Sequence, residues 1–321
     1  MKELKEKDLR LLAYLYSHNR EPLTKIAKNL KISRQQVEYK LKEYLDNKLI
    51  EGFIPIINYP KLNYNSFCIL LIKLKKQSYL KQFQETIKNN ANKINTVEIL
   101  GKYDLGLAMI FKNEQEKNQE ILKLLEKYKT QIESNVIISP YKMQSYPLKF
   151  AGNKSESSYS QIENSEKIIK LDEKELNILK ILNKNGRAKL LAIATKTNLS
   201  PELAFYKIKK LEKEKILLGT RAILNMEKLG FHYTILQISL KNISNELTKK
   251  VEAFCKNQTH IETFYFNIEK PNLYIQLFHK TEEQLRNTIE EIKEAFSEQE
   301  MSIEILPIKS EGKQANPLPF L

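Results

Sequence analysis

The chain has 321 residues and a formal net charge of +14, with 53 Lys or Arg against 39 Asp or Glu. This length suits two to four compact domains, and the spread positive charge favours a polyanionic partner, nucleic acid before an anionic membrane. A Lys-rich composition by itself is the alternative source of part of that excess. Cys68 and Cys255 are too few for a disulfide framework or a Cys-x-x-Cys metal site. No apolar run is long enough for a membrane span and the N-terminus lacks the core of a signal peptide, so a cytoplasmic protein is expected.

From its first residues onward, the chain repeats itself at a fixed offset of 167 positions. About sixty residues align without a gap, which predicts two copies of one unit in one chain. The matching segments are LKEKDLRLLAYL (4–15) with LDEKELNILKIL (171–182), TKIAKNLKIS (24–33) with LAIATKTNLS (191–200), and INYPKLNY (57–64) with LNMEKLGF (224–231).

Each unit opens with three segments of helical apolar periodicity. Ser33 and Ser200 are placed to cap the third helix, and Pro201 suits a first helical position. Only about four residues separate the second and third helices, which is the spacing of a helix-turn-helix. Short β-prone runs follow at 49–58 and 216–225, as a wing would.

The remainder of each unit has the order strand, helix, strand, strand, helix, strand. This order predicts a ferredoxin-like βαββαβ sandwich, so the fold class is α+β, with two repeats of winged helix-turn-helix followed by a ferredoxin-like sandwich. A polar, Ser-rich stretch between the units predicts a flexible linker. The expected domains are 1–60 (helix-turn-helix), 64–150 (sandwich), 151–168 (linker), 169–227 (second helix-turn-helix), 231–310 (second sandwich) and 311–321 (C-terminal tail).

The segments LDEKELNILKIL at 171–182, LSP at 199–201 and LNMEKLG at 224–230 resemble the winged-helix half of the Lrp/AsnC (feast/famine) transcription regulators. The resemblance implies a regulator that binds double-stranded DNA and pairs its sandwiches through their sheets. Members of that family carry one unit per chain, so this chain resembles a tethered dimer, either closed on itself as a pseudo-dimer or paired with a second chain. Where the family often has paired arginines in the recognition helix, this chain has Tyr-Lys.

In a helix-turn-helix, the start of the recognition helix faces base edges in the major groove. In the first copy Arg34 suits guanine, and Gln35 and Gln36 suit adenine. The alternative is a solvated polar helix face. The candidate DNA contacts here are Ser33, Arg34, Gln35, Gln36, Tyr39, Lys40 and Lys42.

In the second copy Pro201 and Glu202 stand at the places of Arg34 and Gln35. Phosphates repel a carboxylate, although it can accept from cytosine N4. The second copy is therefore predicted to hold the DNA backbone with weak or altered base contacts, and complete loss of DNA contact is the alternative. Its candidate contacts are Ser200, Tyr206, Lys207 and Lys210.

The turn Gly101-Lys102-Tyr103-Asp104 resembles the Gly-x-Tyr-Asp turn of the family's ligand-sensing sandwich. The resemblance implies that Gly101, Tyr103 and Asp104 bind a small effector such as an amino acid. Asp104 equally suits a cap of its own turn. In the second sandwich FNIEKPN (266–272) replaces this turn, which puts an effector site there in doubt.

No nucleotide-binding or Ser/His/Asp motif is present, and His232, His260 and His279 lack metal-ligand spacing. We therefore expect no cofactor, no metal and no enzymatic activity. The rival hypothesis is a siroheme decarboxylase, which is similar in fold. That resemblance implies an arginine pair after the wing and a catalytic histidine, and the stretches FIPIINYP and TRAILNME lack the arginine pair.

Overall fold

The computed structural model describes residues 5–146, 158–163, 165, 167–311 and 315–321. Each unit begins with three helices and one strand, and we call the helical triplets the first head and the second head. The first head comprises α1 (Glu6–His18), α2 (Leu23–Leu30) and α3 (Arg34–Asp46), and is followed by β1 (Ile50–Ile57). The second head comprises α6 (Glu173–Lys184), α7 (Leu190–Thr197) and α8 (Pro201–Lys213), and is followed by β7 (Leu217–Leu224).

Each head leads into a sandwich of strands with two helices on one face. The first sandwich comprises β2 (Ser66–Leu74), α4 (Tyr79–Ile87), β3 (Lys93–Ile99), β4 (Leu105–Phe111), α5 (Glu114–Lys127) and β5 (Ile132–Ile138). A further strand, β6 (Lys142–Ser145), follows it. The second sandwich comprises β8 (His232–Leu240), α9 (Asn245–Asn257), β9 (Ile261–Phe266), β10 (Leu273–His279), α10 (Glu282–Ala295) and β11 (Met301–Glu311). The predicted fold class, two repeats of helix-turn-helix and ferredoxin-like sandwich, is confirmed.

The strands of both sandwiches form one hydrogen-bonded array in the order β5-β2-β4-β3-β11-β8-β10-β9-β6. The two units meet where β11 pairs with β3, and β6 crosses from the first unit to pair with β9 of the second. Each sandwich has one face without helices, and these two sheet faces share an apolar cluster. The cluster includes Leu71 of the first sandwich and Ile235 and Tyr274 of the second. The sequence analysis missed β6, because the segment KMQS has no strand-like alternation.

The strands after the heads do not form separate hairpin wings, which corrects the expectation of a wing in each unit. Instead β1 and β7 pair antiparallel with each other, and we call this two-stranded sheet the ribbon. Its central pair is Ile54 with Arg221, which occupy equivalent positions in the two units, so a pseudo-twofold axis passes between them. Pairs on one side of the axis recur on the other: Ile50–Leu224 with Ile57–Leu217, and Gly52–Ile223 with Ile56–Gly219.

Each head packs on the opposite unit. The core of the first head includes Leu229 and Phe231 of the second unit, and the core of the second head includes Tyr59 and Ile110 of the first. Separating the units would therefore expose apolar surface in both heads. The ribbon and the exchanged contacts join the two repeats into one interdependent structure.

The two heads also touch across the ribbon through reciprocal polar contacts. Arg20 Nη1 donates to the carbonyl of Gly186 over 2.8 Å, and the equivalent Arg187 Nε donates to the carbonyl of Asn19 over 2.6 Å. Burial lowers the pKa of both guanidinium groups. Because 19 and 186 are equivalent positions, these contacts obey the same pseudo-twofold relation as the ribbon.

Part of the predicted flexible linker is fixed in the fold. Tyr159 forms an antiparallel bridge with Ser145, and the carbonyl of Gln161 accepts from the backbone N–H of Tyr59. This corrects the expectation for residues 158–163, and residues 151–157 lie outside the described residues. The predicted C-terminal tail is likewise docked where it is described, since Leu318 is buried in the core of the second head. In the described ranges, no helix has the length and apolarity to cross a membrane.

Gly186→Ala tests the contact between the second head and the ribbon. A Cβ at position 186 would lie 3.0 Å from backbone atoms of Phe53 and Ile54, which cannot yield as a flexible side chain can. We expect a loss of about 1–3 kcal/mol in the free energy of unfolding, measured by urea titration.

The matched control is Gly52→Ala in the ribbon, where the added Cβ would meet Ile223 Cδ1 at 3.9 Å, an ordinary contact. This variant should unfold at a urea concentration equal to or above that of the unmodified chain. Equal stability of the two variants would contradict the close approach of Gly186 to the ribbon.

Candidate nucleic-acid interface

The recognition helix of the first head, α3, begins with a reciprocal capping box. The Ser33 hydroxyl accepts from Gln36 N over 3.1 Å, and the Gln36 side chain accepts from Ser33 N over 3.0 Å. Both side chains therefore satisfy backbone groups at the helix end. Arg34 and Gln35 are exposed between them and, within the described residues, make no hydrogen bond or ion pair. Four DNA contacts were predicted at this helix start. Of these residues, Arg34 and Gln35 are the two whose side chains have no hydrogen bond or ion pair to the described residues.

One turn further along α3, the basic residues differ in what surrounds them. Lys40 Nζ lies 2.8 Å from Glu43 Oε2 and 3.0 Å from Asp8 Oδ1, which ties α3 to α1. The hydrogen bond with Glu43 raises the pKa of Lys40. Lys42 is exposed and forms no ion pair in the part of the chain that is described, and Tyr39 is 68% exposed. Lys42 and Tyr39 are thus better placed for phosphate than Lys40.

In the second head the lysines of the recognition helix α8 are bound to acidic groups at the start of α6. Lys207 forms ion pairs with Asp172 and Glu175, and Lys210 Nζ lies 2.7 Å from Glu175 Oε1. The hydrogen bond from Lys207 lowers the pKa of Asp172, and the one to Glu175 raises the pKa of Lys210. Ser200 caps the helix by accepting from Leu203 N. Lys207, Lys210 and Ser200 therefore all have structural partners.

Apolar side chains take the exposed positions of the second head. Tyr206 is exposed as predicted, beside Leu203 and Phe205, which stand where the first head has Gln36 and Glu38. Such side chains can meet thymine methyl groups but cannot form the paired hydrogen bonds that distinguish guanine or adenine. The sequence analysis did not single out Leu203, although its offset from Gln36 was the available signal.

The predicted effector turn is occupied by contacts of its own. Asp104 Oδ2 accepts from Leu74 N over 2.7 Å, and Oδ1 lies 3.2 Å from Lys73 Nζ. Tyr103 is buried in the cluster between the two sheets, and Gly101 has φ +104°, a conformation that favours glycine. The Asp104 carboxylate therefore ties this turn to the end of β2, and both of these partners lie outside the turn that it was expected to cap.

The three histidines of the second sandwich form no metal site. His279 Nε2 lies 2.9 Å from Thr234 Oγ1, and His260 Nδ1 lies 3.1 Å from the carbonyl of Phe278. Burial lowers the pKa of His279. In the described ranges no group of three His, Cys, Asp or Glu residues could hold a metal ion.

A residue that the sequence analysis did not single out, Arg221, lies on the ribbon and lines a cavity of about 570 Å³ between the two sheets. Its Nη1 donates to Tyr16 OH over 2.9 Å, and Tyr16 OH donates to Glu262 Oε1 over 2.6 Å. This chain of contacts joins the ribbon, the first head and the second sandwich. The stretches FIPIINYP and TRAILNME contain a single arginine, Arg221, where a siroheme decarboxylase is expected to have an arginine pair.

Comparisons with known proteins agree with the helix-turn-helix geometry. A model of winged helix-turn-helix DNA-binding domains matches residues 171–217. An uncharacterized HTH-type transcriptional regulator of Pyrococcus abyssi is 34% identical over 119 residues, which cover 36% of this chain and 79% of the relative. A second such regulator, from Pyrococcus furiosus, is 22% identical over 147 residues, which cover 44% of this chain and 99% of the relative. Each of these two relatives thus corresponds to roughly one of the two units.

Among solved structures, the siroheme decarboxylase NirDL in complex with an iron-uroporphyrin III analogue has a TM-score of 0.62 at 13% identity. That match covers 99% of this chain and 95% of the other. Likeness at this identity shows that the two-unit fold is shared, without showing a shared activity.

The helix-turn-helix heads and these relatives define a DNA-binding transcription regulator. The chain belongs to the family of HTH-type transcriptional regulators that these relatives represent. Its two units in one chain distinguish it from the relatives described above.

Lys42→Met and Lys40→Met separate DNA contact from helix anchoring. If Lys42 neutralises a phosphate, Lys42→Met should reduce the slope of log affinity against log salt by about 0.9. Binding is measured by fluorescence anisotropy on duplex DNA at several salt concentrations.

The control Lys40→Met should leave that slope nearly unchanged and lower the unfolding free energy by at most about 1 kcal/mol, because its ion pairs are partly exposed. A drop in the slope for Lys40→Met as large as that for Lys42→Met would show that Lys40 leaves its carboxylates to bind DNA.

Proposed function

We propose that the chain regulates transcription by binding an asymmetric operator, with the first head reading bases and the second head holding the DNA backbone. The observation that carries this proposal is the pair Arg34 and Gln35, exposed and unengaged within the described residues at the start of α3. An arginine can donate two hydrogen bonds to guanine O6 and N7, and a glutamine can pair with adenine N6 and N7. The equivalent Pro201 and Glu202 offer no donor.

The asymmetry rests on a symmetric frame. The ribbon pairs equivalent strands of the two units about a pseudo-twofold axis, so the heads are held as in a dimer with twofold symmetry. A symmetric pair of identical heads would select a palindrome. Because the heads differ in side chains, the two half-sites of this operator should differ in how strictly their bases are specified.

The remaining partners follow from the same reasoning. We infer a pseudo-dimer closed within one chain, because the ribbon and the exchanged head contacts pair the two units. Further pairing of two chains stays open.

An amino-acid effector at Gly101, Tyr103 and Asp104 has little support, since both oxygens of the Asp104 carboxylate have protein partners. We infer a non-enzymatic protein that acts in the cytoplasm, where its DNA target lies.

A siroheme decarboxylase is the second candidate function, favoured by the full-length likeness in fold and by Arg221 in the cavity. A decarboxylase substrate carries carboxylate, and the charges lining the cavity do not favour one. Three carboxylates, Glu51, Glu227 and Glu262, stand against the two cationic side chains Arg221 and Lys309, and one histidine, His232, also lines the cavity. Mixing the protein with siroheme and recording the visible spectrum tests this candidate, and an absorption shift at stoichiometric concentration would support it.

The double variant Arg34→Ala/Gln35→Ala tests the base-reading role of the first head. The ratio of affinities for a selected duplex and a scrambled duplex should fall about 30-fold or more, since two base contacts of roughly 1–3 kcal/mol each supply at least about 2 kcal/mol of discrimination. Competition gel-shift assays measure that ratio, and affinity for the scrambled duplex should change far less.

The matched control is Glu202→Ala, at the position in the second head equivalent to Gln35. It should leave the discrimination ratio within about twofold of the unmodified chain, because the second head is proposed to contact phosphates and not bases, and phosphate contacts carry no sequence information. Specificity that survives in the double variant, or that falls equally in Glu202→Ala, would contradict the assignment of base reading to the first head.

A further inference from the structure

The cavity between the two sheets has the size of a small-molecule site. Its volume of about 570 Å³ falls within the common range for ligand pockets, roughly 300–1,000 Å³. The wall from the first sandwich is apolar and includes Leu71, Gly106 and Ala108. A Cβ on Gly106 would lie 2.9 Å from Val97 Cγ2, so the side chains of this wall pack closely around the glycine.

The wall from the second sandwich contains buried polar groups without partners. Gln237 of β8 is 2% exposed, and neither atom of its side-chain amide has a hydrogen-bond partner in the described part of the chain. Tyr274 lies directly opposite on β10, is 1% exposed, and its hydroxyl is likewise unpartnered there. Buried polar atoms nearly always have partners, so two adjacent exceptions that line one cavity indicate a ligand-binding surface.

The row of polar groups continues across the sheet. Tyr265 lies opposite Tyr274 on the neighbouring strand, with ring centroids 5.3 Å apart. The hydroxyl of Tyr265 accepts from Gln276 Nε2 over 3.4 Å. Burial raises the pKa of Tyr265 to about 12, so its hydroxyl stays protonated at neutral pH. The wall thus presents neutral donors and acceptors next to aromatic rings.

The cationic groups that line the cavity already have partners. Arg221 and Glu262 are joined through the hydroxyl of Tyr16, and Lys309 Nζ lies 3.0 Å from Glu98 Oε2. The carboxylates of Glu51 and Glu227 also line the cavity, so an anionic ligand would meet charge of its own sign without a free cation to compensate it. The site therefore favours a neutral molecule over an anion.

We propose that this cavity binds a neutral, flat molecule that carries a hydrogen-bond donor and an acceptor side by side, as a carboxamide or a heterocyclic amide does. The amide of Gln237 offers one donor and one acceptor, and such an edge complements both at once. The hydroxyl of Tyr274 supplies a further contact, and the apolar wall of the first sandwich covers the opposite face of the ligand.

The site also touches the part of the molecule that sets the position of the heads. Residues of β7 line the cavity together with Tyr16 of α1. Arg221 lies at the pseudo-twofold axis of the ribbon and bonds Tyr16. A bound ligand is thus placed to bias the arrangement of the heads and with it DNA affinity. That consequence rests on the proposed function, whereas ligand binding itself does not.

The test uses the full-length chain and three neutral probes, nicotinamide, uracil and adenine, with nicotinate as the charged counterpart of nicotinamide. Saturation-transfer NMR and calorimetry in the absence of DNA measure binding. We expect at least one neutral probe to bind, nicotinate to bind more weakly than nicotinamide, and Gln237→Met to weaken probe binding about tenfold or more. Methionine matches glutamine in size and removes both unpartnered atoms, so this variant should fold at least as stably as the unmodified chain.

Gln82→Met is the matched control, because Gln82 is exposed on α4 and does not line the cavity. It should bind the probes as the unmodified chain does. Failure of all three neutral probes to bind, which would indicate a cavity filled by water only, overturns the proposal. Equal probe binding by Gln237→Met and the unmodified chain overturns it too. Because these measurements contain no DNA, their failure is distinct from a loss of base reading by Arg34 and Gln35.

Discussion

The structure depends on the antiparallel pairing of β1 with β7. This ribbon joins equivalent strands of the two repeats, and its register places a pseudo-twofold axis between the equivalent residues Ile54 and Arg221. The axis in turn fixes where each head lies, because each head buries apolar side chains of the opposite unit. Without these contacts, the duplication would give two independent units joined by a linker. With them, the two units form one pseudo-dimer within a single chain. The tether between the units keeps the effective concentration of one for the other high, which favours this closed arrangement.

On this symmetric frame the side chains of the two units have diverged. The first head keeps Arg34 and Gln35 free at the start of its recognition helix, whereas the second has Pro201 and Glu202 there. The second head also binds Lys207 to the acidic start of α6, which reduces the positive charge that it offers to phosphate. The central pair of the ribbon also consists of two different residues, Ile54 and Arg221. The frame thus supplies the spacing of a dimer, and these sequence differences are the basis of the separate roles that we propose for its halves.

Much of the fold could be predicted from the sequence because helix periodicity, caps and strand order are local signals, and the fixed offset showed the repeat. The pairing of β1 with β7 could not be predicted, since a single β-prone run is equally consistent with a hairpin wing. The crossing of β6 to the second sheet depends likewise on a distant strand edge. In the candidate interface, the spacing of Ser33 and Gln36 was a readable signal of the capping box that the structure shows. The position of the unpartnered Gln237 amide beside Tyr274 depends on the pairing of β8 with β10, which the sequence does not show.

The most direct test of an asymmetric regulator on a symmetric frame is selection of bound sequences from a pool of random DNA duplexes, followed by sequencing. The first head should specify one half-site strictly, and the adjoining half-site should be degenerate. Exchange of Arg34 for alanine should then erase the strict half and leave the spacing of the footprint unchanged. A palindrome whose two halves are equally well specified would contradict the account, because it would require both recognition helices to read bases alike.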